Sequence, residues 1–284
     1  MGLMAAINVI FAAITAYVPV LFISVVLVIF IPLTSTLVEF YCKDKYFPIY
    51  AFATLGLSLI VTLSAIDFTL FYLVPSILTG YVFGLMAKKN FANHWGILIA
   101  AVIQTGLSFA FIPLVQLITE RNLIDVLRQL FKAENSPYFN NLIGFMFFVV
   151  SLIQTILSFI VVDNELKKFG GKNESKNEIN FYVDLACILS IGIAVGLHFV
   201  YVPISLIFLC FSVYFAVFLI LRSIQNQCIP ALVLMGLVVI ANIFFFAGLN
   251  KLLPAGNEFI LLGFTPFCIA IISLVFYFLQ KKKN

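Results

Sequence analysis

Charge is what this sequence has least of. Of its 284 residues 10% are charged, where a soluble domain carries about 25%. A folded soluble domain of this size still exposes roughly a quarter to a third of its chain's area to water. Soluble enzymes, nucleic-acid binders and solvated disordered chains are excluded on that ground. Residues that carry chemistry are scarce as well. There are two histidines, His94 and His198. No metal-ligand cluster, phosphate-cradling glycine loop or nucleophile elbow occurs in the sequence. The expectation is no enzyme activity, no metal and no cofactor. The five cysteines, Cys42, Cys187, Cys210, Cys228 and Cys268, follow no zinc or redox spacing. They read as small packing residues without disulfides. No Lys or Arg precedes the first apolar stretch, so residue 1 onward reads as a span rather than a cleaved signal.

What is present is apolar. Hydrophobic residues make up 63% and the mean hydropathy is +1.16. The expected fold is all-α: a polytopic integral membrane bundle of about ten transmembrane helices, each crossing with about 20 residues. The spans read as 2–17, 20–41, 46–66, 68–87, 95–118, 139–162, 181–201, 203–221, 229–249 and 259–279. Pro19, Asp67 and Pro203 separate neighbours that would otherwise run together. With a cytoplasmic N-terminus, inner segments carry Lys43, Lys45, Lys88, Lys89, Lys167, Lys168, Lys172, Lys176, Arg222, Lys281, Lys282 and Lys283. Outer segments carry Arg121, Arg128, Lys132 and Lys251. Twelve of the 16 basic residues then face inward, as positive-inside topology requires. The expected location is the cytoplasmic membrane, with both termini cytoplasmic.

Two segments are not spans. Residues 121–133 place Leu123, Ile124, Leu127, Leu130 and Phe131 on one helical face and Asp125, Arg128, Gln129 and Lys132 opposite. This is an amphipathic helix for the outer interface, either a connector or a lid over a cavity. Residues 163–178, DNELKKFGGKNESKNE, read as a solvated cytoplasmic linker. It divides a six-span bundle, 1–162, from a four-span bundle, 179–284.

Polar groups at membrane depth cost free energy unless they are paired or line a cavity. Gln104 and Thr105, in IQTGLSF, and Gln154 and Thr155, in IQTILSF, sit near mid-membrane on consecutive antiparallel spans. Either the amides bond between helices or they line a substrate cavity. His198, at the outer end of its span, is either a loop-end residue or a ligand group. Asp67, Glu120 and Glu258 sit at outer loop edges, and Pro75, Pro113 and Pro266 should kink their spans. Small residues recur at four-residue spacing in Ala12/Ala16, Gly80/Gly84, Gly96/Ala100 and Gly192/Gly196. Such faces bring helices close, within the chain or against a partner.

Three features carry a resemblance. They are the six-span N-terminal bundle, the alanine-rich first span (Ala5, Ala6, Ala12, Ala13, Ala16) running into Tyr17-Val18-Pro19, and the fourth span's VPSILTGYVFGLMAKK, Val74–Lys89. Together they resemble the YybS-like family of bacterial membrane proteins, which is similar to the substrate-binding S components of energy-coupling factor transporters. The resemblance covers 1–162 best, and the four further spans fit the larger YybS-like chains. It implies a small-molecule-binding bundle open to the outside. It also implies a coupling transmembrane subunit docked on an Ala-x-x-x-Ala face, which Ala12 and Ala16 match, and separate ATPase subunits. No vitamin-contacting residue of the family maps onto this chain. The expected function is a substrate-binding membrane component of a small-molecule transporter. The alternative is a non-transporting scaffold or accessory subunit of an envelope or signalling complex. The lipid bilayer is the expected surrounding, and nucleic acid is not an expected partner.

Overall fold

A computed structural model describes residues 1–18, 21–89, 91, 93–120, 122–130, 139–168, 181–225, 228–249 and 258–281. Every regular element among them is helical. In chain order the helices are α1 (Gly2–Tyr17), α2 (Leu21–Tyr41), α3 (Phe47–Val61), the single turn α4 (Ile66–Phe68), α5 (Val74–Lys89) and α6 (Asn93–Thr119). They continue with α7 (Leu123–Leu130), α8 (Phe139–Lys168), α9 (Phe181–His198), α10 (Val202–Gln225), α11 (Ile229–Leu249) and α12 (Glu258–Lys281). Five stretches are long and apolar enough to cross a membrane: Thr69–Lys89, Asn93–Thr119, Leu142–Lys168, Val202–Ile224 and Leu262–Leu279. Four apolar helices are shorter among the described residues: Gly2–Tyr17, Val26–Tyr41, Tyr182–His198 and Ile229–Asn242. This is an all-α chain whose apolar helices are consistent with a membrane protein.

The helix ends follow local chemistry. Proline opens α3 at Pro48, where a missing N–H costs nothing. Between α3 and α5 the chain does not run straight. A 3-10 turn, Leu63–Ala65, leads into α4 and then into a π turn, Thr69–Leu73. Pro75 lies just past that turn and has no N–H for the carbonyl four residues back. Thr62 and Thr69 hydrogen-bond across the break, and Asp67 is exposed within it. The Asn122 side chain accepts hydrogen bonds from the N–H groups of Ile124 and Asp125 (3.1 and 3.4 Å) and so starts α7. Of the interfacial segment 121–133, the described helix is Leu123–Leu130. Arg121 and 131–133 lie outside the described residues.

One sequence expectation is corrected here. The polar run 163–178 is not linker from its start. The α8 helix continues through Lys168, because Asp163 pairs with Lys167 at 2.5 Å and Glu165 with Lys168 at 2.6 Å along its face. Residues 169–178 lie outside the described residues.

The chain forms two compact units, Met1–Ser136 with Met146–Asn177, and Pro137–Phe145 with Glu178–Asn284. The first turns of α8, up to Phe145, group with the second unit.

In the first unit α2 packs along α5, and α1 lies against α2 and α3. The α2–α5 contact is backbone-close. A Cβ built on Gly80 would lie 2.4 Å from the Pro32 carbonyl oxygen, and one on Gly84 would lie 2.5 Å from Glu39 Cβ. The core between these helices gathers Ala5, Ala12, Ile31, Val38, Phe47, Tyr50, Leu73 and Ile77. In the second unit α9, α10, α11 and α12 enclose Cys187, Ile191, Ala216, Leu219, Met235, Ile269 and Ala270. The polarity is inverted relative to a soluble protein. On α3, Phe52 is 77% exposed and Ile60 74%, whereas Tyr50, Thr54 and Ser58 are buried. Lipid accepts such an exterior and water does not.

Candidate functional site

Several residues singled out in the sequence are brought together by hydrogen bonds between helices. Gln104 Oε1 accepts a hydrogen bond from Thr155 Oγ1 at 3.0 Å. Gln154 Nε2 donates to Ser76 Oγ on α5 at 3.2 Å. The two glutamines thus bond to other helices rather than to each other. Thr105 returns its hydroxyl to the Ala101 carbonyl at 2.8 Å. His198 belongs to the second unit, in a small cleft lined by Ile191, Ala194, Val195, Ser205, Leu209 and Gly263. Ala12 is fully buried in the first unit's core and Ala16 half-buried. At Ala12, the docking face implied by the resemblance is already filled by the chain itself. Gly80 and Gly84 are likewise taken up by α2. Gly192 and Gly196 are exposed, with nothing within 4 Å of a Cβ placed on either.

The most organised polar feature lies elsewhere. Along α3 and its capping residue, Tyr50, Thr54, Ser58 and Thr62 recur every four residues, and none is more than 2% exposed. At 1.5 Å per residue that ridge is roughly 18 Å long. Its lower end is fully bonded. Asn8 Nδ2 on α1 donates to Tyr50 Oη at 2.8 Å. Thr34 Oγ1 on α2 donates to Asn8 Oδ1 at 2.6 Å, and Ser35 Oγ lies 3.1 Å from Tyr50 Oη. Its upper end is bonded too, by Thr62 to Thr69 and to the Ser58 carbonyl. Between these ends, the Ser58 hydroxyl is buried and has no hydrogen-bond partner among the described residues, while the buried Thr54 hydroxyl faces that of Tyr50 one turn back. A helix offers every such hydroxyl the carbonyl one turn back. Thr15, Thr36 and Thr62 take that bond, whereas Thr54 and Ser58 do not. Leaving a buried hydroxyl unbonded costs about 1–3 kcal/mol.

One turn beyond Ser35 on α2 stands Glu39, its side chain fully buried. Lys88, near the end of α5, directs its ammonium at three acceptors: Glu39 Oε1 (2.9 Å), Asp44 Oδ1 (2.6 Å) and the Cys42 carbonyl (2.8 Å). The hydrogen bond from Lys88 holds the exposed Asp44 carboxyl below its usual value. Glu39 Oε2 is buried without a partner.

The second unit holds a buried ion pair that reading the sequence did not reveal. Arg222 Nη1 on α10 donates to Asp184 Oδ2 on α9 at 2.9 Å, and Nη2 donates to Ser273 Oγ on α12 at 2.6 Å. The guanidinium lies 5.6 Å from the centre of the Tyr277 ring. Asp184 is 0% exposed and Arg222 8%. In the sequence Arg222 counts simply as an inner-loop cation, because 38 residues separate it from its partner. The ridge on α3 is different, since hydroxyl residues at four-residue spacing within an apolar span are a readable signal.

No family model, curated protein or solved structure matches this chain.

Proposed function

We propose that the chain is the substrate-binding membrane component of a small-molecule transporter that depends on a separate energising partner. The observation that carries this reading is the buried, unpartnered Ser58 hydroxyl beside that of Thr54, between two bonded ends of the α3 seam. Both are neutral and both donate and accept. The matching guest is a small, mostly uncharged molecule rich in hydroxyl or amide groups. The proposed setting is the cytoplasmic membrane, with ten crossings and both termini inside. Partners in this reading are a coupling transmembrane subunit and ATPase subunits.

Ligand-dependent thermal unfolding of the purified chain tests it, using a panel of vitamins and polar metabolites. A ligand present at about 100 times its Kd stabilises by about 2.7 kcal/mol, a readable rise in Tm. The Thr54→Val/Ser58→Ala double variant should lose that rise. Without ligand it should nevertheless melt close to wild type, because the Ser58 hydroxyl it removes has no hydrogen bond to lose. A panel that yields no shift, or a shift the double variant retains, sinks the reading.

One observation favours the second reading, a scaffold. Gly192 and Gly196 leave a smooth, uncovered strip on α9, the kind of face on which a partner helix packs. Co-purification from native membranes separates the two: a stable non-transport partner, lost on Gly192→Leu, favours the scaffold.

A further inference from the structure

The charges at the inner end of the seam do not balance. Glu39 and Asp44 contribute two carboxylates and Lys88 one ammonium, and these are the charged groups that act on Glu39. All three Lys88 donors are engaged, by Glu39 Oε1, Asp44 Oδ1 and the Cys42 carbonyl. Nothing remains for Glu39 Oε2, which is buried and unbonded. Gly84 of α5 covers the carboxylate's stem: a Cβ there would lie 2.6 Å from Glu39 Cγ. The site is therefore closed on that side, and of its two carboxylates Asp44 is exposed to water while Glu39 is buried with Lys88 on one oxygen only. A metal cation would need several oxygen ligands and would sit against the Lys88 ammonium. A proton needs one lone pair, and Oε2 has it free.

We propose that Glu39 is a proton-binding site of the seam, loading and releasing a proton at Oε2. This rests on the transport reading and names the ion that reading lacks. The step is a simple protonation. A proton from water forms the Oε2–H bond, the carboxylate becomes a neutral acid, and Lys88 keeps its own protons and its bonds to Asp44 and Cys42. Release reverses it. The hydroxyls of Ser35, Tyr50, Thr54, Ser58 and Thr62 continue from Glu39 toward the other end of α3.

Infrared difference spectroscopy of the full chain in lipid, titrated between pH 8 and pH 5, tests this. The probe is the proton itself. Wild type should develop a protonated-carboxyl band in that window. Glu39→Gln should lack it, Glu39→Asp should restore it, and Asp44→Asn should keep it. Comparison at pH 8, where Gln mimics the neutral acid, checks that Glu39→Gln folds. If that variant fails to fold, the response of Glu39→Asp decides: a displaced band supports the site, and an unmoved band overturns it. A wild-type chain with no band in the window, or a band that survives Glu39→Gln, also overturns it. The thermal-shift experiment stands apart from these outcomes. A Glu39 band without any stabilising ligand removes the transport reading alone, and a stabilising ligand without the band removes the proton site alone.

Discussion

At the scale of single residues, the buried ion pair of the second unit makes the sharpest demand. Asp184 and Arg222 have left water, and their attraction offsets that loss only while both are present. Arg222→Met alone should destabilise by about 3–5 kcal/mol, because it strands a buried carboxylate. The double variant Asp184→Leu/Arg222→Met should recover most of the loss, and a double-variant cycle of unfolding measurements reads the coupling. Additive losses would show that the two charges do not depend on each other. Asp44 gives a prediction of opposite character. Its folded-state pKa is depressed by Lys88, so its stabilising contribution is complete above the ordinary aspartate value of about 3.9. That contribution is lost as pH falls through the lower, folded value. Asp44→Asn should flatten this part of the acid limb of a Tm-against-pH curve. A limb identical to wild type would mean that the Lys88–Asp44 contact is not held in solution.

At the scale of elements, the glycines sort by what faces them. Gly80 and Gly84 let α5 touch the backbone and stem atoms of α2, and Thr36 Oγ1 reaches the Gly80 carbonyl at 3.1 Å across the contact. Gly80→Ala must push the two helices apart and should cost about 1–3 kcal/mol. Gly96→Ala meets only the flexible end of Met86 and should cost less. Gly192→Ala and Gly196→Ala meet open space and should be neutral, or gain up to about 1 kcal/mol from helix propensity. Thermal unfolding of the four variants checks the order; a Gly80→Ala protein that melts with wild type would contradict the close α2–α5 packing. The sequence shows four such pairs with the same spacing and no way to rank them. Spacing says that a helix has a small face, and only the neighbouring helix says whether that face is filled.

At the scale of the whole molecule, the polarity inversion is the governing fact. Hydroxyl, amide and charged side chains gather inside each unit, while Phe52, Ile60, Leu117 and Val200 stand exposed. Lipid around the helices makes both arrangements favourable. The proposal of ten crossings with both termini inside makes a direct prediction. Cysteines introduced singly as Lys172→Cys and Lys282→Cys, in a chain whose native cysteines are replaced, should label from the same side of oriented vesicles. Labelling from opposite sides would rule out an even number of crossings between them.

The sequence by itself determined that the chain is helical and apolar, and approximately where its helices begin and end. Hydropathy adds along the chain, and proline and charge act on their own neighbours, so a local reading suffices for these. It misplaced the end of α8, where pairs between side chains three and four residues apart kept a polar stretch helical. Only the tertiary structure decided which polar groups meet. It paired Gln104 with Thr155 and Gln154 with Ser76, closed the face of Ala12, joined Asp184 to Arg222, and left Ser58 and one oxygen of Glu39 buried without hydrogen-bond partners. A hydrogen bond is set by angles and distances of a few ångströms between residues far apart in the chain, and no periodicity in one helix records the rotation of the next.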